Sequence, residues 1–422
     1  MKSPQRLYKN GLVARSDSRE LLSSDVLVDG DGRIAAVGPH LKADPNTEVI
    51  DCTGCVLVPG MFDLHVHARE PGGEHKETLA TCAAAALHGG VTGLVLMPDT
   101  TPPIDTGHLV KSVQDLADDI TGITMLPAGC LTKGRAGTEL ASFSGMVSRG
   151  VPLLTDADRT VPCPAVMRRC LEYARDFDVL VATHGDTPAL SRGGAMNEGR
   201  TSYSLGLPGN PAISQEIAID RDLRLAALTG ARLHLQQIST AAGARAVSRA
   251  KEDGLAISAE VSAHHLVLDE TDIGDYQSHA KTDPPLRLAA DKKALLARLL
   301  DGTIDLIASD HSPHTEFEKS SDFASAPAGF SGLETTVLVL FDQFIKSGRF
   351  GWDLLIQKYA DAPRALIGLP KVPISVGARA EFFIFDPAAR TAVEKSWFRS
   401  RSPVNPFIGR DFAGAVRETV VG

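Results

Sequence analysis

At 422 residues the chain is too long for one small domain and suits a barrel of ~250 residues with a satellite domain. Hydrophobic residues make up 43% and aromatics only 5%, so the core is aliphatic, as in a barrel filled by branched side chains. The net charge of −9 argues against nucleic acid and anionic membranes as partners, because both need a basic surface.

The N-terminal stretch MKSPQRLYKNGLVARSDSRE carries no apolar signal segment, and no run of about 18 apolar residues follows anywhere. Six cysteines do not make a disulfide framework, so the expectation is a reduced, cytoplasmic protein without a membrane span. Over the first 60 residues, LVARS, DVLVDGDGRIAAVGP and TEVIDCTGCVLVPG alternate apolar residues with Gly, Asp and Pro, a pattern of short strands and turns. Cys52 and Cys55 form a CxxC pair within this stretch. Without a second CxxC it reads as two small residues around a Thr-Gly turn rather than as a metal or redox site.

From 61 to 364 the pattern changes. Eight short apolar runs recur, each followed by a helical stretch: VLVPGMFDLHVH, VTGLVLMPD, ITMLPAGC, VPLLTD, VLVATH, ARLHLQQIS, AISAEVSAHH and DLIASDH. Eightfold strand–helix alternation predicts a closed parallel (β/α)8 barrel of the TIM type. KETLATCAAAALHGG, PAVMRRCLEYARDF and AADKKALLARLLDG have helical spacing, the first ending at Gly89-Gly90. After 365, ARAEFFIFDP and AGAVRETVVG return to alternation. The predicted architecture is therefore α/β: a barrel over 61–364 and a small β-sandwich built from 1–60 and 365–422.

Polar residues collect where the barrel strands end, the face that carries the active site in such barrels. His65 and His67 end the first strand, Asp99 the second, Asp156 and Asp158 the fourth, His184 the fifth and Gln237 the sixth. His264 and His265 end the seventh, and Asp310 and His311 the eighth. On a strand, i and i+2 point the same way, so His65 and His67 can present two imidazoles to one metal ion, and neutral imidazole suits zinc. His264, His265 and His311 read as supporting residues rather than ligands. His40, His75, His88, His108 and His279 are expected at the surface.

FDLHVHAREPGGEHKET resembles the first-strand signature of dihydroorotases, cyclic amidohydrolases of the amidohydrolase superfamily. MPDTTPPIDT, GGAMNEGRTS, GARLHLQQIST, EVSAHHLVLDE, KTDPPLR, DGTIDLIASDHSPH and APAGFSGLET are similar to further blocks of that family, in order, and the likeness covers nearly the whole chain. The resemblance implies the same barrel-plus-sandwich fold and a zinc-dependent hydrolase of cyclic amides. His65, His67 and His184 would be metal ligands, and Asp310 both ligand and general base. Arg69 and His314 would hold the substrate carboxylate, with the loop from Pro327 to Gly332 lying over it.

Four positions depart from the family pattern. Ala157 stands where the family's Asp-Asp-Gly has its bridging carboxylate, with Asp158 or Asp156 as possible substitutes if the strand end shifts. Gln237 stands where strand 6 has a His, and a Gln carbonyl is a weak ligand for zinc. Asp99 replaces the Asn of MPNT, where a second carboxylate would repel the substrate's own unless compensated. Asp283 replaces an Asn, so an acceptor stands where an amide could also donate. The resulting expectation is a single zinc ion and interconversion of N-carbamoyl-L-aspartate and dihydroorotate in pyrimidine biosynthesis. The alternatives are a silent subunit partnering aspartate transcarbamoylase, or opening of another ring of the hydantoin or allantoin kind. A homo-oligomer is expected.

Overall fold

The computed structural model describes residues 4–120 and 122–422. Its strands run, in chain order, β1 Arg6–Arg15, β2 Ser18–Val28, β3 Ile34–Gly38, β4 Glu48–Asp51, β5 Val56–Pro59, β6 Met61–Val66, β7 Val91–Leu96, β8 Thr124–Pro127, β9 Leu153–Leu154 and β10 Leu180–His184. They continue with β11 Met196–Asn197, β12 Gly209–Asn210, β13 Leu233–Gln236, β14 Ile257–Ser262, β15 Leu306–Ala308, β16 Glu381–Ala392 and β17 Asp411–Val421. Among the described residues no helix is long and apolar enough to cross a membrane.

The two ends of the chain meet in one sheet of order β17-β16-β5-β1-β2-β3, with β4 pairing β1. Alternation along β16 explains its two faces. Phe382 and Ile384 pack with Tyr8, Val13, Val26 and the buried, unpaired Cys52 and Cys55. Phe383 and Phe385 turn the other way, into the large core shared with the barrel's helices.

Eight parallel strands make the barrel among the described residues. β6, β7 and β8 form one run and β9, β10, β13, β14 and β15 the other. Two parallel bridges close it: Gly129 to Leu154 joins β8 to β9, and Val66 to His311 joins the first strand to the segment after the last. All eight strands fall in the apolar runs read from the sequence. The expected helices form as well, at Leu79–His88, Pro164–Asp176 and Ala289–Leu300. Thr78 caps the first of these, its hydroxyl accepting from the Thr81 amide at 3.1 Å.

The barrel interior is filled by Phe62, Leu64, Val95, Met97, Ala128, Leu153, Leu180, Ala182 and Leu306. Gly93 makes room for Phe62, since a Cβ there would sit 2.4 Å from the ring. Phe62 is fully buried and lies under the Arg364 guanidinium, 4.8 Å from ring centre to Cζ. Phe62→Ala will therefore destabilise the protein by about 3–5 kcal/mol in denaturant unfolding. A loss below ~1 kcal/mol would show that this core collapses around the gap.

Candidate active site

The HxH pair does not reach the barrel mouth by simple alternation. The register of β6 against β7 slips between Asp63 and Val66. Asp63 explains the slip: its buried carboxylate accepts from the His65 amide at 3.0 Å, the Ser309 amide at 2.9 Å and the Tyr359 hydroxyl at 2.6 Å. This bulge turns the strand end, and Val66 then pairs with His311 while the His67 amide donates to the His311 carbonyl at 2.8 Å. Barrel closure thus brings Asp310 beside both imidazoles.

His65, His67 and Asp310 each offer a ligand atom, and these atoms lie within 4.8 Å of one another, all three residues being buried. The Nδ1 of His65 donates to Glu260 Oε1 at 2.6 Å, because a carboxylate can only accept. Its Nε2 is buried without a hydrogen-bond partner among the described residues and stands 3.9 Å from Asp310 Oδ1. His67 Nδ1 lies 2.9 Å from Asp99 Oδ2. A buried, unpartnered imidazole nitrogen facing a carboxylate and a second imidazole fits a metal ion, since an uncompensated polar atom is otherwise costly to bury.

The electrostatics follow from burial and pairing. Burial works against a charged His65, yet Glu260, its hydrogen bond and the nearby Asp310 raise the imidazole to about 9. Burial raises Asp310 to about 7, against the opposing pull of His65. Burial also pushes Asp99 up, but His67 and Arg69 together hold it well below the usual carboxylate range, so it stays ionised. Asp310, Arg69 and Gln237 all take left-handed backbone, with φ of 53°, 64° and 50°. Such conformations are uncommon for non-glycine residues and cluster at functional sites.

The other candidates lie around this cluster. Arg69 donates to Asp99 Oδ2 at 2.5 Å, Ser312 Oγ at 2.7 Å and the Pro313 carbonyl at 3.2 Å, and its second terminal nitrogen is 3.2 Å from His314 Nε2. The Asp99 charge is therefore compensated within the protein. His184 stands outside the three-residue cluster. Its Nδ1 donates to Gln237 Oε1 at 2.7 Å, and its Nε2 is 3.8 Å from Asp283 Oδ1. That contact occupies the Gln237 amide oxygen. Asp283 is exposed and lines a cavity of about 130 Å³ with Asp186, Asn210, Lys281 and Ala328.

Ala157 is buried among the barrel's apolar filling and offers no donor. Asp158 pairs with Arg135 instead of joining the cluster. Asp156 is committed to the Leu131 and Thr132 amides at 2.9 and 3.0 Å. His264, His265 and His311 are buried and are not members of the three-residue cluster, with His264 Nε2 3.8 Å from Asp310 Oδ2. Phe330, in the 327–332 loop, stacks edge-on against His264 at 5.1 Å.

Two surface assignments need correction. His88 and His279 are half-buried, whereas His40, His75 and His108 are exposed. His88 is drawn in by Glu334, 2.9 Å away, and by the Trp397 ring at 4.7 Å, and His279 lies 3.5 Å from Glu316. Sequence reasoning also missed Glu260 and Gln236, the latter's amide nitrogen 3.3 Å from His65 Nδ1. A lone carboxylate within the apolar strand AISAEVS was the available signal for Glu260.

Known proteins resemble the chain in sequence and in fold. Residues 54–242 match a family model described as dihydro-orotase-like. The chain is 40% identical to a dihydroorotase of Carboxydothermus hydrogenoformans over 409 residues, covering 97% of this chain and 94% of that protein. It is 37% identical to a dihydroorotase of Pelotomaculum thermopropionicum over 417 residues, covering 99% and 97%. Among solved structures, the L-hydantoinase (dihydropyrimidinase) from Arthrobacter aurescens superposes with a TM-score of 0.87 at 23% identity, covering 99% of this chain and 95% of the other. The D-hydantoinase (dihydropyrimidinase) from a Thermus species superposes with a TM-score of 0.84 at 24% identity, covering 99% and 94%. At these identities the superpositions show the shared fold.

Proposed function

The chain belongs to the dihydroorotase family, and from that premise we propose that it interconverts N-carbamoyl-L-aspartate and dihydroorotate in pyrimidine biosynthesis, with one zinc ion held by His65, His67 and Asp310. The family is metal-dependent and acts on C–N bonds of small cyclic amides. The observation that carries the assignment of the centre is the buried, unpartnered Nε2 of His65, facing Asp310 within the three-residue cluster.

When bound, the metal supplies an activated water near neutral pH and polarises the ring carbonyl. Asp310 takes the proton from the nucleophile and gives it to the leaving ring nitrogen. Arg69, held by Ser312, His314 and Asp99, would offer its remaining guanidinium N–H groups to the substrate carboxylate. His314 is kept neutral, lowered to about 3 by burial and by the neighbouring Arg69 and Lys76. His184, held through Nδ1 by Gln237, lies outside the three-residue cluster and would join the ion only as an additional ligand through Nε2. Asp283 accepts a ring N–H at the rim, and Asp158 stays with Arg135.

Purified protein supplied with zinc is expected to open dihydroorotate, to close carbamoyl aspartate, and to carry one zinc per chain by elemental analysis. Zinc-loaded, folded protein without turnover in either direction overturns the reading. Ala157 and the occupied Gln237 favour a second reading, a silent subunit bound to aspartate transcarbamoylase, and co-elution of the two proteins with no turnover is its signature. The proposal extends to a cytoplasmic homo-oligomer.

A further inference from the structure

His65 and His67, the two imidazoles of the cluster, each have a carboxylate behind them that lies outside it. Behind His65 a buried row runs through the barrel interior. Glu260 Oε1 meets His65 Nδ1 at 2.6 Å, Glu260 Oε2 meets His234 Nε2 at 3.1 Å, and His234 Nδ1 meets Ser258 Oγ at 2.8 Å. Glu260, His234 and His65 are fully buried. Behind His67, Asp99 Oδ2 lies 2.9 Å from Nδ1 while accepting from Arg69 at 2.5 Å. The two carboxylates reach their rings from different strands, Glu260 on β14 and Asp99 just beyond β7.

An imidazole can present either nitrogen, and the group bonded to one decides which tautomer and which orientation the other offers. His65 Nδ1 is hydrogen-bonded to Glu260, and His67 Nδ1 lies at ion-pair distance from Asp99 without hydrogen-bond geometry, so in each ring the carboxylate is on the Nδ1 side and Nε2 is left for an ion. Neither carboxylate is free to swing, because its other contacts hold it: His234 for Glu260, Arg69 for Asp99. Charge points the same way. Asp310 is the one anionic member of the cluster, and Ala157 adds nothing. A divalent cation there draws its remaining compensation from carboxylates one imidazole away.

We infer that Glu260 and Asp99 are positioning residues that set the affinity of the centre for metal, by fixing His65 and His67 with Nε2 toward the ion and by supplying negative charge behind the rings. The inference rests on the His65–His67–Asp310 centre proposed above. It gives Asp99 a task unrelated to the substrate carboxylate.

The test is Zn²⁺ affinity, read by competition with a chromophoric chelator, for wild type, Glu260→Gln, Asp99→Asn and a control, Glu334→Gln. Glu334 is likewise a buried carboxylate on a histidine, His88, but lies outside the cluster. Glu260→Gln and Asp99→Asn are each expected to weaken zinc binding roughly 10- to 100-fold, and Glu334→Gln to leave it unchanged. Thermal unfolding of the metal-free proteins separates the roles, since a merely structural carboxylate lowers that midpoint without moving zinc affinity. If Glu260→Gln fails to fold, Asp99→Asn carries the test by itself. Wild-type affinity in the folded variants overturns this inference alone. A wild type that binds no zinc overturns the centre as well.

Discussion

Replacing Asp310 by Asn will reduce interconversion of dihydroorotate and carbamoyl aspartate roughly 10³- to 10⁴-fold in kcat, the upper range for losing a positioned acid–base group. Asn is the cleaner substitution for two reasons. It tolerates the left-handed backbone at this position, φ 53°, better than Ala. It also keeps an oxygen on the metal side while removing the basic carboxylate. Zinc content should fall only in part, so that a reloaded variant remains inactive. Asp310→Ala removes oxygen and base together and should be inactive and metal-poor. Retention of more than a tenth of wild-type kcat in the zinc-loaded Asn variant would show that Asp310 does not carry the proton.

Replacing His65 by Ala will have two effects that His67→Ala does not combine. Both should strip the co-purifying metal to near zero by elemental analysis. His65→Ala also takes away one of the two imidazoles that partner Glu260, leaving that buried carboxylate with His234 alone. Breaking a buried charge pair by removing one partner costs about 3–5 kcal/mol. Asp99, by contrast, keeps Arg69 when His67 is lost. The thermal midpoint should therefore fall much further for His65→Ala than for His67→Ala, and equal drops would argue that Glu260 does not depend on His65.

The barrel was legible because its signals are local. Eight apolar runs each needed only their own composition and flanking turns, and the same runs carry the eight observed strands. The HxH pair was legible for a similar reason, since two histidines one residue apart at a strand end announce themselves. The route by which they face inward was not. Period-two alternation ignores the slip that Asp63 imposes on β6, and that slip depends on Ser309 and Tyr359, far along the chain. Glu260 was overlooked for the same cause: its partner His65 lies 195 residues away. Asp99 looked like a repulsive substitution while the positions of Arg69 and His67 around it were unknown. His88 and His279 were placed at the surface because nothing near them in sequence shows Glu334, Trp397 or Glu316 closing in.

The seam between the first and last barrel strands runs through the centre itself. Asp63 and Ser309 clasp across 246 residues, two residues before His65 and one before Asp310. During synthesis, a chain that ends before this point holds both imidazoles and the carboxylates behind them but not Asp310, with the seam still open. Full coordination becomes available only when the last strand docks, so acquisition of the ion marks completion of the ring. Fraying of that same seam would release the ion before the rest of the barrel loosens.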